Sequence, residues 1–177
     1  MPLAIRPIQG EFCAEVIGAD LGRAMDDATF AEIERAWTRH SILVFRDVRM
    51  TPEQQIAFTR RLGRLHIMEP LQYNLPGHPE IFIVSNVEEG GKALGMKRAG
   101  WGWHSDGEDK AVPNAASFLY AVQLPPEGGD TLFADMYGAF EALPADVRST
   151  IRRWMSCSAT TTGRPWRPVR SATTPMW

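Results

Sequence analysis

Residues 101–106 have the sequence Trp-Gly-Trp-His-Ser-Asp, and the interpretation of the whole chain begins from this stretch. His104 and Asp106 are two residues apart, so in a strand both side chains would project from one face. An imidazole and a carboxylate on one face match two ligands of a two-histidine, one-carboxylate iron(II) site, which keeps further positions open. The chain has 4 histidines, and this spacing arises easily by chance. Other stretches must therefore decide whether the pair is meaningful.

The composition is that of an ordinary soluble globular domain, or part of one. The 177 residues are 44% hydrophobic and 23% charged, with a net charge of −2. We therefore expect neither a nucleic-acid nor a membrane partner. The first residues lack the apolar run of a signal peptide, and no stretch has the length of a membrane span. Cys13 and Cys157 lie far apart, which predicts reduced thiols in a cytoplasmic protein.

Charge divides the chain into two parts. Residues 1–156 carry a net charge of −5, whereas residues 157–177 carry +3 and contain no acidic residue. This last stretch is rich in Thr, Ser, Arg and Pro and shows no strand or helix periodicity. We predict a main domain over residues 1–156, followed by a tail at 157–177 that is either frameshifted or disordered.

Sequence periodicity predicts short strands separated by glycine and proline turns, with flanking helices. In residues 51–54, Thr51 can cap a helix that Pro52 begins, and Gln54 can complete a capping box. This pattern favours an α+β fold with a β-sandwich or jelly-roll core. Strands are predicted at 3–8, 41–45, 80–85, around His104, at 115–124 and at 130–134; helices are predicted at 28–40, from Pro52 to about Leu62, and from Pro144.

A second motif lies downstream, where residues 124–136 have the sequence Leu-Pro-Pro-Glu-Gly-Gly-Asp-Thr-Leu-Phe-Ala-Asp-Met. Together with residues 103–106, it resembles the taurine and phenoxyacetate dioxygenase family (TauD/TfdA). Residues 18–21, 43–47 and 58–63 add to the resemblance, which covers about residues 10–156. Gly-Gly-Asp-Thr placed after His-x-Asp is much more specific than His-x-Asp alone.

The resemblance implies a fold and a chemistry. Family members have a double-stranded β-helix (cupin-like jelly-roll) core and use Fe(2+) and 2-oxoglutarate. With O2 they hydroxylate a small organic substrate, expected here to be anionic, and release succinate and CO2. By resemblance, His104 and Asp106 are iron ligands, and Thr131 donates a hydrogen bond to a carboxylate of 2-oxoglutarate. The alternative for Thr131 is a plain β-branched strand residue.

Two further residues resemble substrate-contacting positions of the family. His66 follows the second helix, where family members place substrate-facing side chains, although a core or surface histidine fits equally well. Trp103, like Trp101, either lines a pocket or packs beside the barrel mouth. Met68 and Gly100 stand where taurine-type members have a histidine and an asparagine, which argues against taurine as substrate. The resemblance leaves a homo-oligomer open.

The chain departs from the family in one respect. Family members have a third iron ligand, a histidine far downstream, and an arginine after it that binds 2-oxoglutarate, but this chain has no histidine after His104. One explanation is an incomplete barrel, truncated by a frameshift or stop near Cys157. The other is a shortened protein in which His66 or water is the third ligand, or one with a binding role.

Overall fold

The computed structural model describes residues 2–161 apart from 98, 101, 108, 109 and 111, with side chains described as far as Arg153. Trp101 and the tail from residue 162 onward lie outside the described residues. The chain divides into two compact units, with the boundary between His104 and Ser105.

A three-stranded sheet opens the first unit. It consists of β1 (Ala4–Gln9), β2 (Cys13–Ile17) and β3 (Ile42–Phe45), in the order β1-β2-β3. β1 and β2 form an antiparallel hairpin, whereas β2 and β3 run parallel. A parallel pair needs a long crossover connection, and the chain provides one between Ile17 and Ile42.

Helix α1 (Asp27–His40) lies in that crossover and confirms the helix predicted at 28–40. Asp26 caps it, because its carboxylate accepts a hydrogen bond from the Thr29 backbone N–H at 2.8 Å. The buried residues recur at helical spacing, which makes one apolar face. They are Phe30, Ile33, Ala36, Trp37 and His40.

Helix α2 (Pro52–Arg60) begins with the predicted capping box. The Gln54 side-chain oxygen accepts from the Thr51 N–H at 2.7 Å, and the Thr51 hydroxyl accepts from the Gln54 N–H at 3.4 Å. Both contacts satisfy backbone donors that the helix itself leaves without partners. This prediction rested on local sequence alone, and the structure confirms it.

Aromatic packing joins these elements. The Phe58 ring lies edge-on to Phe30 at 5.8 Å and to Phe45 at 6.3 Å between ring centroids, so α2 contacts both α1 and β3. Every buried apolar side chain of the described residues lies between residues 14 and 58. They are Ala14, Val16, Leu21, Phe30, Ile33, Ala36, Trp37, Ile56 and Phe58.

A buried carboxylate on β2 is paired by two arginines. Glu15 is 7% exposed, and it forms ion pairs with Arg6, its cross-strand partner on β1, and with Arg46, whose Nε lies 3.3 Å away. A buried charge without a partner would be costly. The two guanidinium groups therefore allow an acidic residue in the central strand.

The rest of the first unit consists of small local structures. A 3-10 turn at Leu71–Tyr73 precedes β4 (Asn74–Leu75), which pairs with β5 (His78–Phe82). A two-residue hairpin follows, made by β6 (Glu88–Glu89) and β7 (Lys92–Ala93). In the second unit, α3 spans Met136–Glu141 and α4 spans Ala145–Thr161, so α4 includes the first five residues of the predicted tail.

Three strand predictions are wrong. None of the described residues after Met96 belongs to a strand, which removes those at His104, 115–124 and 130–134. A strand requires a neighbouring segment to complete its backbone hydrogen bonds, and within the described residues these segments form no ladder with any other. The strand predicted at 80–85 begins earlier, at His78, and ends at Phe82.

We expect the Phe58→Ala variant to be destabilised by about 3–5 kcal/mol, because it leaves a cavity between two helices and a strand. Phe133→Ala makes the same chemical change at a side chain that is 57% exposed, and it should cost less than about 0.5 kcal/mol. Urea unfolding of both variants, compared with the unchanged chain, measures the difference. Equal costs would contradict a core confined to residues 14–58.

The Asp26 cap should make stability depend on pH. Hydrogen bonds from Thr29 lower the pKa of the Asp26 carboxyl below its ordinary value of 3.8. The stabilisation is therefore complete above pH 3.8 and is lost as the pH falls through the lower folded-state pKa. The stability difference between the unchanged chain and Asp26→Asn, measured by urea unfolding from pH 2 to 6, should shrink toward acid. A difference that stays constant would contradict this role.

Candidate active site

His104 lies in an irregular loop, and its ring orientation is set by the backbone just before it. The Nδ1 atom is 2.8 Å from the carbonyl oxygen of Gly102. Because a carbonyl can only accept, Nδ1 must be the donor, which assigns the lone pair of the neutral ring to Nε2. A backbone carbonyl that binds one ring nitrogen is the usual support for a histidine that ligates metal through the other.

Asp106 is oriented by a residue that sequence reasoning missed. The Ser117 hydroxyl donates a hydrogen bond to Asp106 Oδ2. Gly107 follows with a φ of +74°, and a Cβ there would lie 3.0 Å from the Asn114 side chain. Glycine is therefore needed at the turn that follows the carboxylate. Nothing in the sequence marks Ser117, because serine is common and lies 11 residues away.

Thr131 follows a turn that only glycine adopts readily. Gly128 and Gly129 have φ values of +71° and +77°, and a Cβ on Gly129 would lie 3.0 Å from the Pro125 ring. Two successive left-handed residues explain why the Gly-Gly pair precedes this threonine. The turn directs the chain from Pro125 toward Thr131, which is exposed.

The predicted site residues are all exposed to solvent, and Trp103 is 73% exposed. Those in the first unit are His66, Trp103 and His104, and those in the second are Asp106 and Thr131. Within the described part of the chain, no three His, Cys, Asp or Glu side chains form a group that could hold a metal ion. The described residues thus show local support for His104 and Asp106, and no metal-binding group of three such side chains is found among them.

A recess of about 490 Å³ lies elsewhere, along α4 in the second unit. It is lined by Ala145, Arg148, Ser149, Arg152 and Arg153, and none of the predicted site residues contributes to it. Glu141 pairs with Arg148 at 2.6 Å, so part of the positive charge is already neutralised. We assign this recess no part in the candidate site.

Two other observations bear on the environment of the chain. No helix among residues 2–161, where described, is long and apolar enough to cross a membrane. Cys13 has a free thiol, and burial raises its pKa, so the thiol remains protonated at neutral pH.

Comparison with known protein families gives a match over nearly the whole chain. Residues 4–177 match the family described as taurine catabolism dioxygenase TauD, TfdA family. The chain belongs to the TauD/TfdA family. The resemblance in the His-x-Asp and Gly-Gly-Asp-Thr motifs is thereby confirmed at the level of the family.

Curated relatives are named as synthases and dioxygenases. Pentalenolactone F synthase of Streptomyces avermitilis is 37% identical over 145 residues, which are 80% of this chain and 47% of that protein. The alpha-ketoglutarate-dependent 2,4-dichlorophenoxyacetate dioxygenase of Cupriavidus pinatubonensis is 34% identical over 164 residues, with shares of 85% and 56%. The chain thus spans about half the length of these relatives.

Solved structures confirm the predicted fold class. A taurine dioxygenase from Burkholderia xenovorans matches with a TM-score of 0.72 and 32% identity, over 84% of this chain and 50% of that one. A structure of AAD-2 in complex with Mn(II) and N-oxalylglycine matches with a TM-score of 0.57 and 28% identity, over 85% and 49%. The fold is therefore that of the TauD-like jelly-roll dioxygenases.

The His104 contact gives a prediction that needs no bound metal. Nitrogen-15 NMR of the neutral ring should show the proton on Nδ1. His40 is an internal control, because its Nδ1 lies 2.9 Å from the Glu11 carbonyl oxygen and should carry a proton for the same reason. A His104 ring protonated on Nε2 beside a correctly assigned His40 would rule out the proposed orientation.

Proposed function

We propose that this chain provides the first iron ligands and a 2-oxoglutarate contact of an Fe(II)- and 2-oxoglutarate-dependent dioxygenase. Such an enzyme hydroxylates a small, anionic organic substrate with O2 and releases succinate and CO2. The observation that carries the proposal is the orientation of the His104 ring, whose Nδ1 lies 2.8 Å from the Gly102 carbonyl oxygen. His104 itself precedes Asp106 by two residues. This occurs in a chain that matches the family over residues 4–177.

The donor chemistry of these residues suits iron(II) at two positions. A neutral imidazole with its lone pair on Nε2 and a carboxylate oriented by Ser117 are the ligand types of a two-histidine, one-carboxylate site. When bound, iron(II) and 2-oxoglutarate would supply the oxidative decarboxylation that drives hydroxylation. The sequence has no histidine after His104, and within the described residues no three His, Cys, Asp or Glu side chains form a group that could hold a metal ion.

Thr131 would position 2-oxoglutarate. Its hydroxyl can donate a hydrogen bond to a carboxylate, and the Gly128-Gly129 turn sets the path of the backbone just before it. Hydrogen bonds to a charged group contribute about 1.5–3 kcal/mol. We therefore assign Thr131 to co-substrate affinity.

His66 and Trp103 are proposed substrate contacts. The names of the relatives include a 2,4-dichlorophenoxyacetate dioxygenase and a taurine dioxygenase, and both of the named compounds are small organic acids. The substrate class proposed here follows from these names. The free Cys13 thiol supports the proposed cytoplasmic location.

The exposure of all five site residues favours a second candidate function. Oxygenase chemistry needs a pocket that excludes water, and these side chains face solvent. A non-catalytic metal- or ligand-binding module would have no such requirement. The two functions differ in turnover: only the enzyme releases succinate in proportion to added iron(II) and 2-oxoglutarate.

The chain should therefore be assayed for succinate release with iron(II), 2-oxoglutarate and a panel of small organic acids. If the enzyme function is correct, His104→Ala and Asp106→Ala abolish turnover. Thr131→Val raises the KM for 2-oxoglutarate about 10- to 100-fold, the equivalent of one charge-assisted hydrogen bond.

His78→Ala serves as the control. His78 pairs with Glu53 at 3.2 Å in the first unit and has no proposed role, so turnover should be unchanged. Turnover that survives His104→Ala would overturn the ligand assignment. Iron binding without succinate release, in the unchanged chain, would favour the binding module instead.

A further inference from the structure

The recess of about 490 Å³ along α4, called here the α4 recess, has a positively charged wall. Its lining residues recur at helical spacing on one side of the helix. They are Ala145, Arg148, Ser149, Arg152 and Arg153, and no acidic side chain is among the described residues that line the recess. Guanidinium and hydroxyl groups can all donate hydrogen bonds to an anion. The wall therefore has the chemistry of an anion-binding site.

Helix α3 holds two of these arginines in place. The Arg148 Nη1 atom donates to the Glu141 carboxylate at 2.6 Å and to the Glu141 backbone carbonyl oxygen at 3.3 Å. The Arg152 guanidinium lies over the Phe140 ring, 5.4 Å from its centroid, and the face of an aromatic ring attracts a cation. Side chains that are already oriented lose less conformational freedom when a ligand binds. The α4 recess is therefore partly preorganised.

Charge and volume indicate the class of ligand. The recess has three guanidinium groups, and the Glu141 carboxylate paired with Arg148 offsets one of them, which leaves a net charge of +2. This charge matches a phosphate monoester, which carries about −1.5 to −2 at neutral pH. Guanidinium groups bind phosphate through paired, charge-assisted hydrogen bonds. A volume of about 490 Å³ is in the range of small-molecule sites, so an organic group fits beside the phosphate.

We propose that the α4 recess binds a small, soluble organic phosphate, whose phosphate group is held by the guanidinium groups of Arg148, Arg152 and Arg153. The polar wall favours a polar organic part, such as a sugar. None of the predicted iron, 2-oxoglutarate or substrate residues lines this recess. The inference therefore goes beyond the proposed function and can be tested without iron or 2-oxoglutarate.

The test is calorimetric titration of the 177-residue chain with glucose 6-phosphate. The buffer contains about 0.15 M salt, which screens weak attraction between exposed charges. We expect one site with a Kd no weaker than about 1 mM. Inorganic phosphate should compete for the site, and glucose should not bind. Succinate, a dicarboxylate dianion, should bind at least about tenfold more weakly, because the recess is proposed to fit a phosphate group.

Variants at exposed arginines locate the site. Arg153→Gln removes a charge and a forked donor from the recess and should weaken binding at least about fivefold. Arg153→Lys keeps the charge without the fork, so its Kd should lie between the two. Arg35→Gln makes the same change of charge at an exposed position of α1 in the first unit, and it should alter the Kd less than about twofold.

Several outcomes would overturn the proposal. Glucose 6-phosphate that does not bind, or succinate that binds equally well, would contradict a phosphate site. Equal effects of Arg153→Gln and Arg35→Gln would mean that the chain attracts anions only in general. Sedimentation with phosphatidic acid vesicles, without binding of glucose 6-phosphate, would assign the recess to a lipid headgroup instead of a soluble ligand. The succinate-release assay is independent of all these results, because its variants lie outside the recess.

Discussion

The edge-to-face packing of Phe58 against Phe30 and Phe45 is the interaction on which the first unit depends, because it joins α1, α2 and β3. Around it lie all the buried apolar side chains of the described residues, from Ala14 to Phe58. Hydrophobic burial is the main favourable term in folding. The stability of the described chain therefore comes chiefly from its first third, whereas later segments rely on turns, caps and ion pairs.

The concentration of buried apolar side chains between residues 14 and 58 explains which elements could be predicted from the sequence. α1 and α2 carry their own signals in sequence, namely the 3.6-residue apolar period of α1 and the Thr51 capping box of α2. β3 is short and apolar, and it pairs with a neighbour in the same unit. The segments at 115–124 and 130–134 have the composition of strands, but composition does not provide the hydrogen-bonding neighbour that a strand requires.

The candidate site also has some features that could be predicted from the sequence and others that could not. The resemblance of the His-x-Asp and Gly-Gly-Asp-Thr motifs to the TauD/TfdA family selected His104, Asp106 and Thr131 as predicted site residues, and the chain belongs to that family. The contacts that orient them could not be foreseen. Ser117 approaches Asp106 from 11 residues away, and the acceptor for His104 is a main-chain carbonyl, which no side-chain motif encodes. The solvent exposure of these side chains could not be predicted from the sequence either, because it depends on which other segments pack against them.

The contact between His104 and Gly102 spans two residues, so closing it costs little chain entropy. It can form early, before any long-range packing exists around it. The turn at Gly128-Gly129 is equally local. The orientation of the His104 ring and the path of the chain before Thr131 are therefore each set within a few residues of the sequence.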